Sequence, residues 1–263
     1  MNYTQSFPSL AAFAAYLDKQ ETTPQYKDEA SSLREEQPNS FRTTKNFSDA
    51  QTLMINGDTE CAKKVEKATA EKIRILNPST RRTITQDVAG YRPNVGAFLA
   101  GKPKSMWRKQ TTHTPKPVVT IYYLNGMPGY VTADDAVITS AKLLASIIQI
   151  ERTQGVKVNL YVCWGAYQSN SEDTATIAVK VKDSNQPFNI TRLAYAMVNQ
   201  DFCRRQCFRY LETCGCSYFY GHGCPPKGDK AKGMFKGHKY DRFISFLDIY
   251  GKQQDEITKM LES

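Results

Sequence analysis

The spacing of apolar residues in the first third of the chain predicts short helices joined by polar segments. A helical spacing behind a serine cap predicts a helix over residues 6–18. Two further helices are expected over residues 48–55 and 60–76. The stretch 19–44 is polar throughout, which is typical of a loop or linker. We therefore predict that the chain starts with a mainly helical extension.

The middle of the chain has a different pattern, in which buried strands alternate with helices. Apolar, β-branched runs predict strands over residues 117–125 and 156–167, and the long amphipathic stretch between them predicts a helix ending at Gly155. Because a helix connects these two strands, we expect them to be parallel neighbours. A third strand, residues 175–182, follows a short polar turn and is expected to be antiparallel to the second.

Further helices are expected over residues 189–198, 201–213 and 239–262. This order of elements is typical of an α/β layered fold, with one sheet flanked by helices. We divide the chain into a helical N-terminal extension with a polar linker (1–85), a basic Gly/Pro-rich docking segment (86–116), an α/β core (117–213), and a Cys/Lys-rich loop with a C-terminal helix (214–263).

The docking segment contains the stretch QDVAGYRPNVGAFLAGKPKSMWRKQ, residues 86–110, which has five Lys/Arg, three Gly and two Pro. Asn94 is placed to cap a short helix that ends before Gly101. Its apolar residues Val95, Phe98 and Leu99 would then lie on one face. We expect this face to dock on the α/β core.

The same stretch also fits nucleic-acid binding, because it mixes stacking surface with positive charge. The chain has a net charge of +9, and residues 61–110 carry twelve Lys/Arg against three Asp/Glu. Residues 1–60 have an acidic excess that this segment can instead neutralise. Arg209 adds to the cations of the later helix. The candidate nucleic-acid-binding residues are Arg92, Lys102, Lys104, Trp107, Arg108, Lys109, Arg204 and Arg205. For Arg204 and Arg205, a solvated helix face or a bridge to the acidic front part is an equally good explanation.

Length and composition limit the class of protein. A chain of 263 residues buries a sufficient core without disulfides or metals. It has no apolar run of about 18 residues, so we expect no membrane-spanning helix. It has no basic stretch ahead of the first apolar patch, so we expect no signal peptide and therefore reduced thiols.

Five of the seven cysteines fall between Cys203 and Cys224. Cys203 and Cys207, four residues apart on a helix, can form half of a tetrahedral zinc site. The candidate ligands are Cys203, Cys207, Cys216, His222 and Cys224. We expect these instead to be free thiols packed as small apolar residues, with no cofactor, and the zinc site is the alternative. The chain has no P-loop, GxGxxG, HExxH or GxSxG motif, which argues against an enzyme.

The order of elements resembles that of a von Willebrand factor A-type domain. In that family the loop after the first strand carries an Asp-x-Ser-x-Ser cluster, whose oxygens hold a divalent cation. The matching stretch here, Leu124-Asn125-Gly126-Met127-Pro128, has one amide oxygen and neither a carboxylate nor a hydroxyl. The resemblance therefore implies a von Willebrand A-like core without the metal site.

A second resemblance rests on DVAGYRPNVGAFLAGKPKSM, NFSDAQTLMINGDTECAKKV and QPFNITRLAYAMVNQDFCRRQCF. Together these stretches resemble an uncharacterised, mostly phage-encoded protein family. The resemblance covers about residues 6–213 and leaves the tail after Thr213 outside it. It implies a phage origin and a fold, and no activity.

We therefore expect a non-enzymatic phage protein that acts as a protein-binding adaptor or an assembly component. Its partner would be a phage or host protein, with self-association as another option and no membrane. It would be located in the host bacterial cytoplasm, or in the virion. The alternatives are a nucleic-acid-binding protein that uses residues 61–110 and a zinc-dependent protein that uses the Cys203–Cys224 cluster.

Overall fold

A five-stranded mixed sheet, flanked by helices, forms the core of the protein in a computed structural model. The structure describes residues 2–27, 30–39, 42–72, 83–110, 116–168, 173–217, 219 and 222–262, with only the backbone of residues 83, 109 and 110. The chain divides into two compact units. The first unit is Met1–Arg74 with Val118–Ser263, and the second unit is Ile75–Pro117.

The strands are β1 (Asn2–Phe7), β2 (Thr83–Asp87), β3 (Arg92–Pro93), β4 (Met106–Gln110), β5 (Val118–Leu124), β6 (Lys157–Tyr167), β7 (Thr174–Lys182) and β8 (Arg242–Ser245). The α-helices are α1 (Leu10–Leu17), α2 (Phe47–Asn56), α3 (Thr59–Ala70), α4 (Val95–Leu99), α5 (Ala133–Thr153), α6 (Ile190–Val198), α7 (Phe208–Thr213), α8 (Gly228–Met234), α9 (Phe246–Ile249) and α10 (Gln254–Glu262). The structure also has a short 3-10 helix, Pro24–Tyr26, and a π-helix, Phe202–Cys207.

The strand order of the large sheet is β1-β7-β6-β5-β8. Strand β5 is parallel to both β6 and β8, whereas β6 and β7 are antiparallel. The predicted parallel pair and the predicted antiparallel third strand are therefore confirmed. The connecting helix α5 begins with a capping box, in which the side chains of Thr132 and Asp135 each accept a hydrogen bond from the other's backbone N–H.

The front part of the chain shares the hydrophobic core of the first unit. Leu10, Phe13 and Leu17 of α1 are buried in the same cluster as Ile121 of β5 and Val162 of β6. Helix α3 packs on both α5 and α6. The front helices are therefore an integral layer of the first unit, while the predicted division into four segments stays a prediction.

Three predictions of secondary structure were wrong or incomplete. Strand β1 was not expected, and it pairs in parallel with β7 at the edge of the sheet. The expected helix over residues 239–262 is instead β8 followed by α9 and α10, because Ser245 caps α9 and Gly251 adopts φ of +78°. The third expected helix ends at Ala70, and its last four expected residues lie outside the described part.

The second unit contains a small antiparallel sheet of order β2-β4-β3. Neither β2 nor β4 was expected from the sequence. The turn before β3 contains Gly90, where a Cβ atom would lie 2.2 Å from the carbonyl oxygen of Trp107. Only glycine fits there, because a Cβ contact below 3.0 Å forces the backbone to move. The tight packing of Gly90 against β4 fixes the geometry of this unit.

Candidate functional site

Helix α4 of the second unit has an inverted distribution of apolar side chains. Asn94 caps it, as predicted, by accepting a hydrogen bond from the backbone N–H of Ala97. The small side chain of Ala97 is buried, whereas Val95, Phe98 and Leu99 are 61%, 68% and 79% exposed. The exposed three have the i, i+3, i+4 spacing of one helix face. We call these three residues the apolar face. Whether it docks on the α/β core stays a prediction.

Positively charged side chains precede and follow the apolar face in the chain. Arg92, Lys102 and Lys104 are all exposed. Arg108 forms an ion pair with Asp87, with 2.7 Å between Nη1 and Oδ2. The hydrogen bond from Arg108 is the main reason that the pKa of Asp87 is lower than its usual value. Lys109 lies in β4, where only its backbone is described. Three exposed cations therefore remain near the apolar face in sequence, and no carboxylate of the described residues forms an ion pair with them.

Trp107 contributes less to the surface than its sequence position suggested. Its side chain is only partly exposed, and its backbone carbonyl accepts a hydrogen bond from the N–H of Tyr91 at 2.9 Å. It also lies against the turn at Gly90. Trp107 is thus part of the framework of the second unit, and the more exposed aromatic side chains are Tyr91 and Phe98.

Arg205, predicted as a phosphate-binding residue, is fully buried in the first unit. Its guanidinium donates hydrogen bonds to the carbonyl oxygens of Ser32 and Arg34 at 3.0 Å and of Thr44 at 2.8 Å. Asp201 lies 3.8 Å from its Nε and is also fully buried. Burial lowers the pKa of the Arg205 guanidinium, and Asp201 acts in the opposite direction. Arg205 therefore bridges its helical segment to the front part of the chain, which is one of the explanations that the sequence left open.

Two further residues of the same helical segment hold the front part of the chain. Arg209 donates hydrogen bonds to the hydroxyl of Thr22 and the carbonyl of Gln20. Glu212, which is fully buried, accepts hydrogen bonds from the backbone N–H and the hydroxyl of Ser32. The polar stretch 19–44, expected to be a linker, is therefore fixed to the core by side chains far away in sequence. Sequence analysis missed the roles of Asp201 and Glu212, because acidic residues on a helix are usually solvated.

The candidate zinc ligands do not come together as a metal site. In the described part of the chain, no three or more His, Cys, Asp or Glu side chains are grouped so as to hold a metal ion. Burial raises the pKa of the thiols of Cys203 and Cys207. Cys216 is buried and its pKa is raised, with a hydrogen bond to Cys214 as the largest cause. Cys224 is exposed at the end of β6. Each of these thiols is a free cysteine.

A cleft lies at the carboxyl ends of β5 and β6, where ligands usually bind in sheets of this kind. The loop Gly126–Gly129 forms one side, and Trp164 of β6 lies in the floor. The π-helix contributes Cys203 and Arg204, and the tail contributes His222. Arg204 lies with its guanidinium carbon 5.5 Å from the ring centre of Phe208. The cleft encloses about 160 Å³.

His222 is held firmly at the edge of this cleft. Its ring stacks on Phe208 at 4.1 Å between centroids, and its Nε2 lies 2.9 Å from Oε1 of Glu212. It adopts φ of +63°, a left-handed conformation found for no other non-glycine residue that the structure describes. Of the five candidate zinc ligands, Cys203 and His222 are the two that line the cleft.

Comparison with known families gives one match. The family described as Domain of unknown function (DUF7192) matches residues 1–263. The chain belongs to this family. No curated protein and no solved structure matches it significantly.

The DUF7192 match includes both units and the whole tail. The expectation that residues after Thr213 are outside the family is therefore corrected. This agrees with the fold, since β8 of the tail is an edge strand of the large sheet and pairs with β5. Among the residues of this DUF7192 chain that the structure describes, no helix is both long and apolar enough to cross a membrane.

Proposed function

We propose that the chain is a non-enzymatic binding protein, an adaptor or assembly component, which contacts a protein partner through the apolar face of α4. The observation that carries this proposal is the inverted helix: it buries Ala97 and exposes Val95, Phe98 and Leu99. An amphipathic helix normally turns its large apolar side chains inward. Contiguous apolar side chains left at the surface mark interaction sites.

The charges around the apolar face indicate the chemistry of the partner. Arg92, Lys102 and Lys104 are exposed. Asp87 is the one acidic residue in the described part of the second unit, and it forms an ion pair with Arg108. The apolar face is therefore preceded and followed in the sequence by positively charged side chains. It suits a protein that offers an apolar groove with an acidic rim, because complementary charge steers association and selects the partner.

The test places a photo-crosslinking residue at the apolar face. The variant Phe98→p-benzoylphenylalanine, irradiated in the native host, is expected to give a discrete covalent adduct whose mass identifies a protein partner or a second copy of the chain. Ile138 on α5, 43% exposed, is the matched control position in the first unit. Adding Lys102→Glu and Lys104→Glu to the Phe98 variant should reduce the adduct several-fold.

Two outcomes would contradict the proposal. Equal labelling at Phe98 and Ile138 would show that the apolar face has no preferred partner. An adduct at Phe98 that nuclease digestion removes would favour the alternative function, nucleic-acid binding through the basic segment. The exposure of Arg92, Lys102 and Lys104 supports that alternative, whereas the burial of Arg205 and the ion pair of Arg108 weaken it.

We also propose that the first unit is a von Willebrand A-like core without the metal-site motif. The observed pairing of β5 with β6 in parallel and of β6 with β7 in antiparallel register supports this, as does the long crossover helix α5. The loop after β5 has Asn125 as its only residue with a side-chain oxygen in the matching stretch. A phage origin, with the protein in the host cytoplasm or the virion, rests on the sequence resemblance.

A further inference from the structure

Two of the cysteines lie close together at the end of α7. Cys214 directly follows the helix, and Cys216 comes two positions later. The Sγ atoms of both lie 3.5 Å from the same carbonyl oxygen, that of Leu211. Both residues are free cysteines. The fold therefore brings two thiols to a single oxygen atom, close enough to act as a pair.

The residue between the two cysteines, Gly215, lets the chain turn from one thiol to the other. It adopts φ of +80°, which glycine reaches without the cost that a Cβ atom brings. Its carbonyl oxygen accepts a hydrogen bond from the hydroxyl of Tyr3 at 3.0 Å, so strand β1 holds the turn in place. No heavy atom of the described residues lies within 4 Å of the position that a Cβ atom of Gly215 would take. The turn is therefore fixed by the fold and approachable at Gly215.

The two thiols differ in their access to solvent. Cys216 is completely buried, whereas Cys214 is partly exposed. The thiolate is the nucleophilic form of cysteine. A hydrogen bond from the thiol of Cys216 lowers the pKa of Cys214, while burial acts in the opposite direction and the backbone N–H of Cys216 adds to the lowering. Cys214 is therefore the sulfur that a reagent reaches and the one that loses its proton first.

From this arrangement we infer that Cys214 and Cys216 form a thiol–disulfide exchange site, which reacts with a low-molecular-weight disulfide and closes into a Cys214–Cys216 bridge. Cys214 attacks the reagent, because it is the accessible thiol of the pair. Cys216 resolves the adduct from the buried side. The reaction modifies the chain stoichiometrically, and it does not involve the apolar face of α4.

The exchange takes place in two steps. The thiolate of Cys214 attacks one sulfur of the reagent, so that a mixed disulfide forms on Cys214, the S–S bond of the reagent breaks and one thiolate leaves. Cys216 then gives up its proton and attacks the sulfur of Cys214, which forms the bridge and releases the second thiolate. Both leaving groups take up protons. In sum, the two cysteines lose two electrons and two protons, and the reagent is reduced to two thiols.

The bridge is expected to be reversible. It closes a loop of only three residues, Cys214 to Cys216, so it gains little stability from constraining the unfolded chain. Forming it also removes the two S–H donors from the carbonyl oxygen of Leu211. Exposed or strained disulfides are reduced more readily than structural ones. An excess of reduced glutathione is therefore expected to open the bridge again.

The experiment follows each cysteine by peptide mass spectrometry. Reduced full-length protein is incubated with oxidised glutathione in the absence of oxygen, and the remaining thiols are then alkylated with N-ethylmaleimide. We expect the peptide that contains Cys214 and Cys216 to lose two hydrogen atoms and both alkylation sites. In Cys216→Ser the reaction should stop at a glutathione adduct on Cys214. In Cys214→Ser the thiol of Cys216 should react roughly tenfold more slowly or less, because buried thiols are inert.

Cys224→Ser is the matched control, because Cys224 is an exposed cysteine of the same tail and is not part of the pair. Bridge formation in this variant should be unchanged. In urea-unfolded protein both thiols are exposed, so Cys214→Ser and Cys216→Ser should form adducts at similar rates. The inference is overturned if the native protein forms glutathione adducts without the bridge, if Cys224 alone reacts, or if the two single variants react at similar rates in the native state.

Discussion

Arg204 and Arg205 are adjacent in the chain, yet their side chains lie in opposite environments. Arg204 lines the cleft and lies over Phe208, whereas Arg205 is fully buried and donates to three carbonyl oxygens of the front part. A dipeptide of two arginines gives no indication of which one faces inward. Adjacent residues of a helix point in different directions, so the packing of the π-helix Phe202–Cys207 against the front part decides it.

The burial of Arg205 predicts a large effect on stability. Arg205→Met removes the guanidinium but leaves Asp201 buried without its counter-charge and three carbonyl groups without their donor. We expect a loss of about 3–5 kcal/mol in the free energy of unfolding, measured by urea denaturation. Arg204→Met is the matched control and should cost clearly less, because its side chain is only partly buried whereas that of Arg205 is fully buried. Similar losses in the two variants would mean that the network around Arg205 is not a major source of stability.

Part of the apolar face could be predicted from the amino-acid sequence alone. The cap at Asn94 and the single face of Val95, Phe98 and Leu99 follow from local spacing, and the structure has both. The exposure of that face does not follow from spacing, because the same pattern is expected for a helix that packs inward. Likewise, Glu212 and Ser32 form their hydrogen bonds across 180 positions, and no local pattern reports such a pair.

At the scale of elements, sequence patterns predicted the strands whose residues are mostly buried and missed those with fewer buried residues. Strands β5, β6 and β7 were predicted because most of their residues are apolar. Strand β1 has the sequence NYTQSF, with one buried residue, Phe7, and its pairing with β7 comes from tertiary structure. In residues 239–262 a helical spacing outweighed the capping signal at Ser245, which is why two short helices and a strand were taken for one helix.

The small sheet of the second unit gives a prediction about Gly90. In Gly90→Ala the new Cβ would lie 2.2 Å from the carbonyl oxygen of Trp107, so the turn and β4 have to separate. We expect hydrogen exchange of the amides in β2 and β4 to become at least tenfold faster, while that of β5 and β6 is unchanged. Gly96→Ala in α4 is the control: its Cβ has 3.7 Å to the nearest atom, and alanine favours a helix by about 1 kcal/mol. Unchanged exchange in Gly90→Ala would contradict the close contact.

At the scale of the whole molecule, the second unit interrupts the first between α3 and β5. The first unit has its own core, which includes α1, α3 and the central strands. The helical front part is therefore needed for the fold of the first unit, whereas the second unit is an insertion in its sequence.

This organisation predicts different results for two deletions. Replacing Ile75–Pro117 with a flexible linker of about ten residues should change the free energy of unfolding of the first unit by no more than about 1–2 kcal/mol, since loop closure depends weakly on length. Deleting residues 1–17 should abolish cooperative unfolding, because β1 and the buried side chains of α1 are lost. Thermal denaturation followed by circular dichroism separates the two results. A large loss on replacing the second unit would instead support the predicted docking of that unit on the core.

The pairing of β1 with β7 also affects how the protein is made. Asn2 lies opposite Thr174, so β1 has no partner until the long stretch of chain that separates it from β7 has been synthesised. At about 5–20 residues per second, that interval is on the order of ten seconds. Throughout it, the nascent helix that carries Leu10, Phe13 and Leu17 has no sheet to cover it. The yield of folded protein in a cell is therefore expected to depend on chaperones that hold nascent chains, even when the finished protein is stable.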